Sequence, residues 1–342
     1  MPPSTCFWPP THLIIVCCHA IYVGGEGGCA DEANWLIEPF QTGETETYIR
    51  HIEAGVKELA ENQDTAILVF SGGATKRDRT ARSEGEAYLS KQSKAKQKQR
   101  VLVQSEESVH DVMGTHTHSS PAHTNTDTSP STSTSTLRSR IFIDRYATDS
   151  YQNVLLPLIQ FPLFAQELQS RLRGEAPSGS YDNHDSHSQT RTMPAVDEDE
   201  HAAAAMDPNS DAKMSIPTWP AKLTVVSHAF KRWRFLDLHV PAARFPVAQT
   251  TYIGIDPPFE SERMAEIEEG DRLRGYGVWK GDLYGLGALL RGKREKRGWD
   301  EGVFRAEVVG RFAGQARRQV EGVLAFKGRG DDERAPWETG CG

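Results

Sequence analysis

The sequence predicts an α/β fold of Rossmann-like type, three layers built on a mainly parallel sheet and interrupted by disordered insertions. Three observations predict it. Runs such as Leu13-Ile14-Ile15-Val16-Cys17-Cys18 and Ala66-Ile67-Leu68-Val69-Phe70 are apolar without alternation, as strands covered on both faces by helices must be. Segments of helical period separate these runs, which is the strand, helix, strand unit of a right-handed parallel crossover. Two of the runs stop at small polar residues, Ser71-Gly72-Gly73 and Ser227-His228, the place where an open parallel sheet collects its ligand.

The elements follow in order. Leu13 to Cys18 is the first strand, and Gly24, Gly25, Gly27 and Gly28 supply a flexible loop after it. From about Glu44 to Asn62, Ile49, Ile52, Val56 and Leu59 recur at helical spacing, giving an apolar stripe to cover the sheet. Thr65 to Phe70 is the second strand, and Ala81 to Gln92 the second helix. From His110 to Thr136 the chain is almost entirely His, Ser, Thr, Asn, Asp and Pro, too polar to offset its own ordering entropy. Arg140 to Asp144 resumes the fold as a short strand, followed by a helix opening near Asp149-Ser150 with Val154, Leu155, Leu158 and Ile159 inward. A second polar tract, acidic at Asp197-Glu198-Asp199-Glu200, precedes the strand Leu223 to Val226, a helix from Ala229 to His239, and a strand from Thr250 to Ile255 closed by Asp256-Pro257-Pro258. The expected organisation is one domain over residues 11–297, disordered insertions at 92–139 and 174–217, and a C-terminal extension from 298 to 342.

Composition excludes several classes of function. The formal charge is −8, with 39 basic against 47 acidic residues, so no global positive field recruits nucleic acid or an anionic membrane. The five cysteines, Cys6, Cys17, Cys18, Cys29 and Cys341, are odd in number and lack framework spacing, which points to a reducing, cytoplasmic setting. Leu13 to Cys18 has no Lys or Arg before it, unlike a secretory signal. No apolar run approaches the roughly 18 residues of a membrane span.

Chemistry is expected where the strands end. Two glycines in Ser71-Gly72-Gly73 allow backbone amides to approach a phosphate or carboxylate, or else mark a tight turn needing positive φ. In Ser227-His228-Ala229-Phe230-Lys231-Arg232-Trp233-Arg234, three cations crowd the first turns of a helix, where the macrodipole disfavours each by roughly 0.3–1 kcal/mol. Either they are solvated or paired with carboxylates such as Asp237, or Lys231 and Arg232 grip an anion while His228 hydrogen-bonds it or moves a proton. Ser150 caps a helix or faces the site; Asn153, one turn in, is placed to orient a ligand. Ser83-Glu84 opens the second helix, with Glu84 a second acid/base candidate, and His19 follows the first strand into the same cleft. Cys17 and Cys18 project to opposite faces and cannot share a metal, and His116-x-His118 lies in low-complexity sequence, so no metal site is expected. The run Arg291-Gly292-Lys293-Arg294-Glu295-Lys296-Arg297 is either a solvated surface or a patch for acidic partners.

In combination, His19, Ser71-Gly72-Gly73, Ser83-Glu84, Ser150-Tyr151-Gln152-Asn153 and Val226-Ser227-His228-Ala229-Phe230-Lys231-Arg232 resemble the SanA/YdcF-like domain-of-unknown-function family (DUF218), with Asp282-Leu283-Tyr284-Gly285 and Lys293-Arg294 matching its fungal cytosolic branch. The resemblance implies a parallel sheet with a site at Ser71 to Gly73, Glu84, Asn153 and His228 to Arg232. At least one bacterial relative binds S-adenosylmethionine, which with a nucleotide, suggested by the anion-binding residues themselves, makes the candidate ligands, while no common reaction defines the family. The chain departs from the bacterial pattern in having Cys17-Cys18-His19-Ala20 where glycines follow the first strand, so the same ligand is not implied. The expected function is binding, or acting on, a phosphorylated or nucleotide-like anionic small molecule; the alternative is a non-catalytic nucleotide or S-adenosylmethionine binding module. A nucleophilic triad is disfavoured because Ser71 lies in Phe-Ser-Gly-Gly and not in a Gly-x-Ser-x-Gly elbow.

Overall fold

The computed structural model describes residues 9–89, 137–174, 218–326 and 335–338. The near-continuous apolar runs form the strands β1 (His12–Cys17), β4 (Ala66–Ser71), β5 (Ile141–Asp144) and β6 (Lys222–Ser227), and the more polar, half-exposed β7 (Thr250–Gly254) joins them. They assemble into one sheet in the order β5-β4-β1-β6-β7, and every neighbouring pair is parallel. The chain builds outward from β1 through β4 to β5, then returns past β1 to lay down β6 and β7. The order therefore reverses between β1 and β6, and that switch point is where connecting loops diverge and leave a crevice. Register brings the strand ends level: Cys17 pairs with Ser71, and Ser71 with Asp144.

The two faces of the sheet follow the strict alternation of strand side chains. Ile14, Val16, Leu68 and Phe70 point to one side, where α1 (Thr45–Glu61) lays Tyr48, Ile52 and Leu59 over them and α2 (84–89) adds Ala87 and Tyr88. Gly55 lets α1 approach closely, since a Cβ there would run into the Val16 and Leu68 side chains. Leu13, Ile15, Ile67, Val69, Leu223 and Val225 point to the other side, under α3 (Gln152–Arg173) and Phe235. Helix α3 is buried nearly all round, from Gln152 to Ala165, because further helices lie over its outer surface. Asp149 starts it, its Oδ1 accepting the Gln152 amide at 2.9 Å. A capping box starts α2: Ser83 Oγ accepts the Glu86 amide while the Glu86 carboxylate accepts that of Ser83.

The helix expected from Ala229 to His239 is an irregular one, α4 (229–242). A 3₁₀ turn, Ala229–Lys231, leads into a wide π segment, Arg234–His239. Beyond β7 come α5 (Ser261–Asp271), continued by a second π segment Arg272–Tyr276, then α6 (Ala288–Lys296), α7 (Glu301–Glu307) and α8 (Gly314–Ala325). Residues from 298 onward, expected as an extension, contribute Phe304, Val308, Phe312, Ala316, Val320 and Trp337 to the same core that holds Leu13 and Ile15. Two short strands, β2 (Ile21–Tyr22) and β3 (Trp35–Leu36), pair antiparallel in the loop after β1 and were not foreseen. The expected insertions at 92–139 and 174–217 lie outside the described residues, apart from 137–139 and Gly174, as does His116-x-His118. Among the described residues no helix is long and apolar enough to cross a membrane.

Candidate functional site

The loops after β1, β4 and β6 bring the expected site residues to one edge of the sheet. His19 is two residues past β1, and its Nε2 lies 3.2 Å from Ser227 Oγ at the end of β6. His228 follows directly and is only 1% exposed; its ring centroid is 4.6 Å from that of His19 and 4.9 Å from that of His51 on α1. The Glu44 carboxyl, held by the Tyr48 hydroxyl at 2.9 Å, sits 3.3 Å from His228 Nε2 without hydrogen-bond alignment. Burial pushes the Glu44 carboxyl up, and burial with the Lys231 charge pushes the His228 imidazole well down. Both shifts favour neutral groups, so this contact is a polar one and not an ion pair. Burial lowers His51 to about 4 and takes His19 well below its usual range. Three neutral imidazoles thus line the switch point.

Lys231 lies in the first turn of α4 among these groups. Burial, then Arg234, brings its ammonium down to about 7. No carboxylate lies within ion-pair distance of it among the described residues. The two neighbouring cations behave differently. Arg232 is exposed and turns to β7, donating to the Tyr252 carbonyl at 3.3 Å and leaning on the Tyr252 ring. Arg234 is ion-paired with Asp271, so its counter-charge comes from α5 and not from Asp237. Of the three cations opposing the dipole, Lys231 alone has neither an ion pair nor a side-chain hydrogen bond among the described residues, and its ammonium lies 5.4 Å from the centre of the Phe230 ring.

Ser71 is completely buried, its hydroxyl 2.7 Å from Asp144 Oδ2 and 3.1 Å from Asn153 Oδ1. Asp144 also accepts from Gln160 at 2.9 Å and from the Tyr146 amide. Asn153, expected to orient a ligand, therefore shares a network that ties α3 to β4 and β5. The Gly72 amide donates to the Asp144 carbonyl and the Gly73 amide to the Ala147 carbonyl, at 3.0 and 2.6 Å. Those amides are spent within the fold and do not form the anion cradle expected of them. Neither glycine has positive φ, so the tight-turn alternative fails too. Close approach explains them instead: a Cβ on Gly72 would come within 2.8 Å of the Glu84 side chain, and one on Gly73 within 2.9 Å of the Ala147 carbonyl.

Glu84 sits over Gly72, with Thr75 Oγ1 donating to its Oε1 at 2.7 Å. Burial lifts its carboxyl to about 7 against the pull of Thr75, Arg297, Lys76 and Lys231. Ser150 stands farther back, its Oγ 2.8 Å from Nε2 of the buried His239. Glu44, Tyr48 and His51 were missed from the sequence. They continue the buried stripe of Ile52, Gly55 and Leu59 toward the end of α1 nearest the strand ends, and polar residues on a stripe otherwise apolar are the signal that marks them. Arg297 was read only as part of a charged run. Among the described residues no group of three or more His, Cys, Asp or Glu is placed to hold a metal ion.

No family model matches the chain, and no solved structure matches it. Over 267 residues the chain is 23% identical to the uncharacterized protein YOR238W of Saccharomyces cerevisiae, an alignment covering 72% of this chain and 67% of that protein.

Proposed function

We propose that the chain is a SanA/YdcF-like domain protein whose cleft, at the carboxyl ends of β1, β4 and β6, binds a phosphorylated or nucleotide-like small molecule. One observation carries this reading: Lys231 lies within electrostatic reach of the neutral imidazoles of His19, His51 and His228 and has no carboxylate within ion-pair distance among the described residues. A cation so placed is costly until an anion joins it, and a phosphate would supply charge and acceptors together. If the bound molecule is also turned over, Glu84 and His228 are the acid/base candidates. A carboxyl that titrates near 7 suits proton transfer at neutral pH.

A non-catalytic nucleotide or S-adenosylmethionine binding module is the second reading. It is favoured by Ser71, whose hydroxyl is committed to Asp144 and Asn153 with neither Glu84 nor His228 as its partner. The free cysteines Cys17, Cys18 and Cys29 support a cytosolic setting.

A thermal-shift screen of nucleotides, sugar phosphates and S-adenosylmethionine tests the reading on wild type, Lys231→Ala and Arg232→Ala. Wild type and Arg232→Ala should be stabilised by the same phosphorylated compounds, and Lys231→Ala should not respond. Equal responses from wild type and Lys231→Ala would sink it, as would a wild type that no anion stabilises.

A further inference from the structure

Helix α6 ends at a cation that the anchoring of the cleft leaves open. Arg297 follows the last turn of α6, and Gly298, at φ +77°, ends the helix there. Its Nη1 donates to the Thr148 carbonyl at 2.8 Å. Thr148 is the neighbour of Ala147, whose carbonyl holds the Gly73 amide, so the guanidinium is anchored one residue from the turn that ends β4. The loop after β4 returns to the same place: a Cβ at position 298 would fall 2.5 Å from Arg77 Nε. The Arg297 charge is felt at His19, Glu84 and Lys231, residues that follow three different strands, β1, β4 and β6.

Arg297 differs from the arginines around it. Arg294, one turn earlier, is ion-paired with Asp149; Arg234 has Asp271, Arg305 has Glu301 and Arg244 has Glu338. For Arg297 no carboxylate partner occurs among the described residues, and its one side-chain hydrogen bond there goes to a neutral carbonyl. Such a bond ties the guanidinium to the loop between β5 and α3 and leaves its other donors without a protein partner among the described residues. A guanidinium held in that way is pre-organised for an oxyanion, which it can take with two parallel hydrogen bonds.

We propose that Arg297 is a second anion-binding residue, on the same side of the strand ends as Lys231 and within electrostatic reach of it, and that the ligand accordingly carries two linked anionic groups, as in a diphosphate ester or a nucleoside diphosphate. The inference rests on the reading of Lys231 as the first anion site. It enlarges that site by a residue from the basic run at 291–297, which thereby serves the cleft and not an acidic macromolecular partner. Lys231 takes the inner anionic group beside His19 and His228; Arg297 takes the outer one, nearer solvent.

Calorimetric titration of inorganic phosphate and of pyrophosphate at pH 7 separates the two ideas, using wild type, Lys231→Ala and Arg297→Gln. Arg297 is exposed and makes one side-chain hydrogen bond, so Arg297→Gln should fold; its circular dichroism melt is taken first. Wild type should bind pyrophosphate at least about tenfold more tightly than phosphate, the value of one further charge-assisted hydrogen bond. Arg297→Gln should keep phosphate binding and lose that preference. Phosphate binding that depends on Lys231 but shows no gain with pyrophosphate, or a gain that survives in Arg297→Gln, overturns the second site and leaves the first intact. If neither anion binds wild type, or both bind Lys231→Ala unchanged, the Lys231 reading itself fails and this inference with it.

Discussion

Lys231 and Glu84 are held where each is uncomfortable in its usual charge state, and the directions of their shifts have consequences of opposite sign. Glu84 titrates near 7 in the fold against 4.5 for the free group. The folded protein therefore keeps a proton that the unfolded chain has lost between those values. Its contribution to stability is complete below about 4.5 and is lost as pH rises through 7. Lys231 titrates near 7 against 10.5; the unfolded chain binds the extra proton over that window, and stability rises with pH across it. Glu84→Gln removes the first effect alone. Urea denaturation at pH 5 and pH 8 should show the variant gaining on wild type as pH rises, and a difference independent of pH would mean that Glu84 is ionised throughout. At this scale the sequence identified Ser71, Glu84, Asn153, His228 and Lys231 as neighbours, because each ends a strand or begins a helix beside one. Roles were harder to read. Nothing in Gly72-Gly73 reveals that Asp144 and Ala147 take their amides, since those partners lie some seventy residues away.

The inner strands β1, β4 and β6 were legible because burial on both faces demands apolar residues at nearly every position, a pattern few other structures require, whereas the edge strand β7 buries only Tyr252. Strands β2 and β3, of two residues each, are too short to carry any period. The segment after β7 was opaque for a different reason. Helix α5 buries none of its residues and α6 buries only Leu290, so neither has an apolar stripe to recognise. Helices α7 and α8 bury a few widely spaced residues, Phe304, Ala316 and Val320, among many charges. Their packing nonetheless joins them to the core, with the Phe304 ring 5.2 Å from that of Tyr146 and fully buried. Phe304→Ala should therefore cost about 3–5 kcal/mol, the usual loss for a large buried ring. Urea unfolding followed by far-ultraviolet circular dichroism and by tryptophan fluorescence should give coincident transitions at a lower midpoint. A change below about 1 kcal/mol would show that the C-terminal helices form a dispensable layer.

Across the whole molecule, strand order does what no single motif can. It carries the loops after β1, β4 and β6 to one edge, places α1 with Glu44, Tyr48 and His51 on one side of the crevice, and sets α4 and α6 with Lys231 and Arg297 on the other. A net charge of −8 makes this cationic edge a local feature, set against the field of the molecule as a whole. On the proposed reading an anion is drawn in by specific groups, so its binding should follow the protonation of Lys231. Sulfate gives the most direct measurement, because it stays a dianion across the neutral range and any pH dependence belongs to the protein. Calorimetric titration of sulfate should show affinity falling by about tenfold or more between pH 6.5 and pH 9 as the ammonium loses its proton, that being the value of one charge-assisted hydrogen bond. In Lys231→Met binding should be weak at both values. Sulfate affinity that does not change with pH, or that is the same in Lys231→Met as in wild type, would contradict an anion site centred on Lys231.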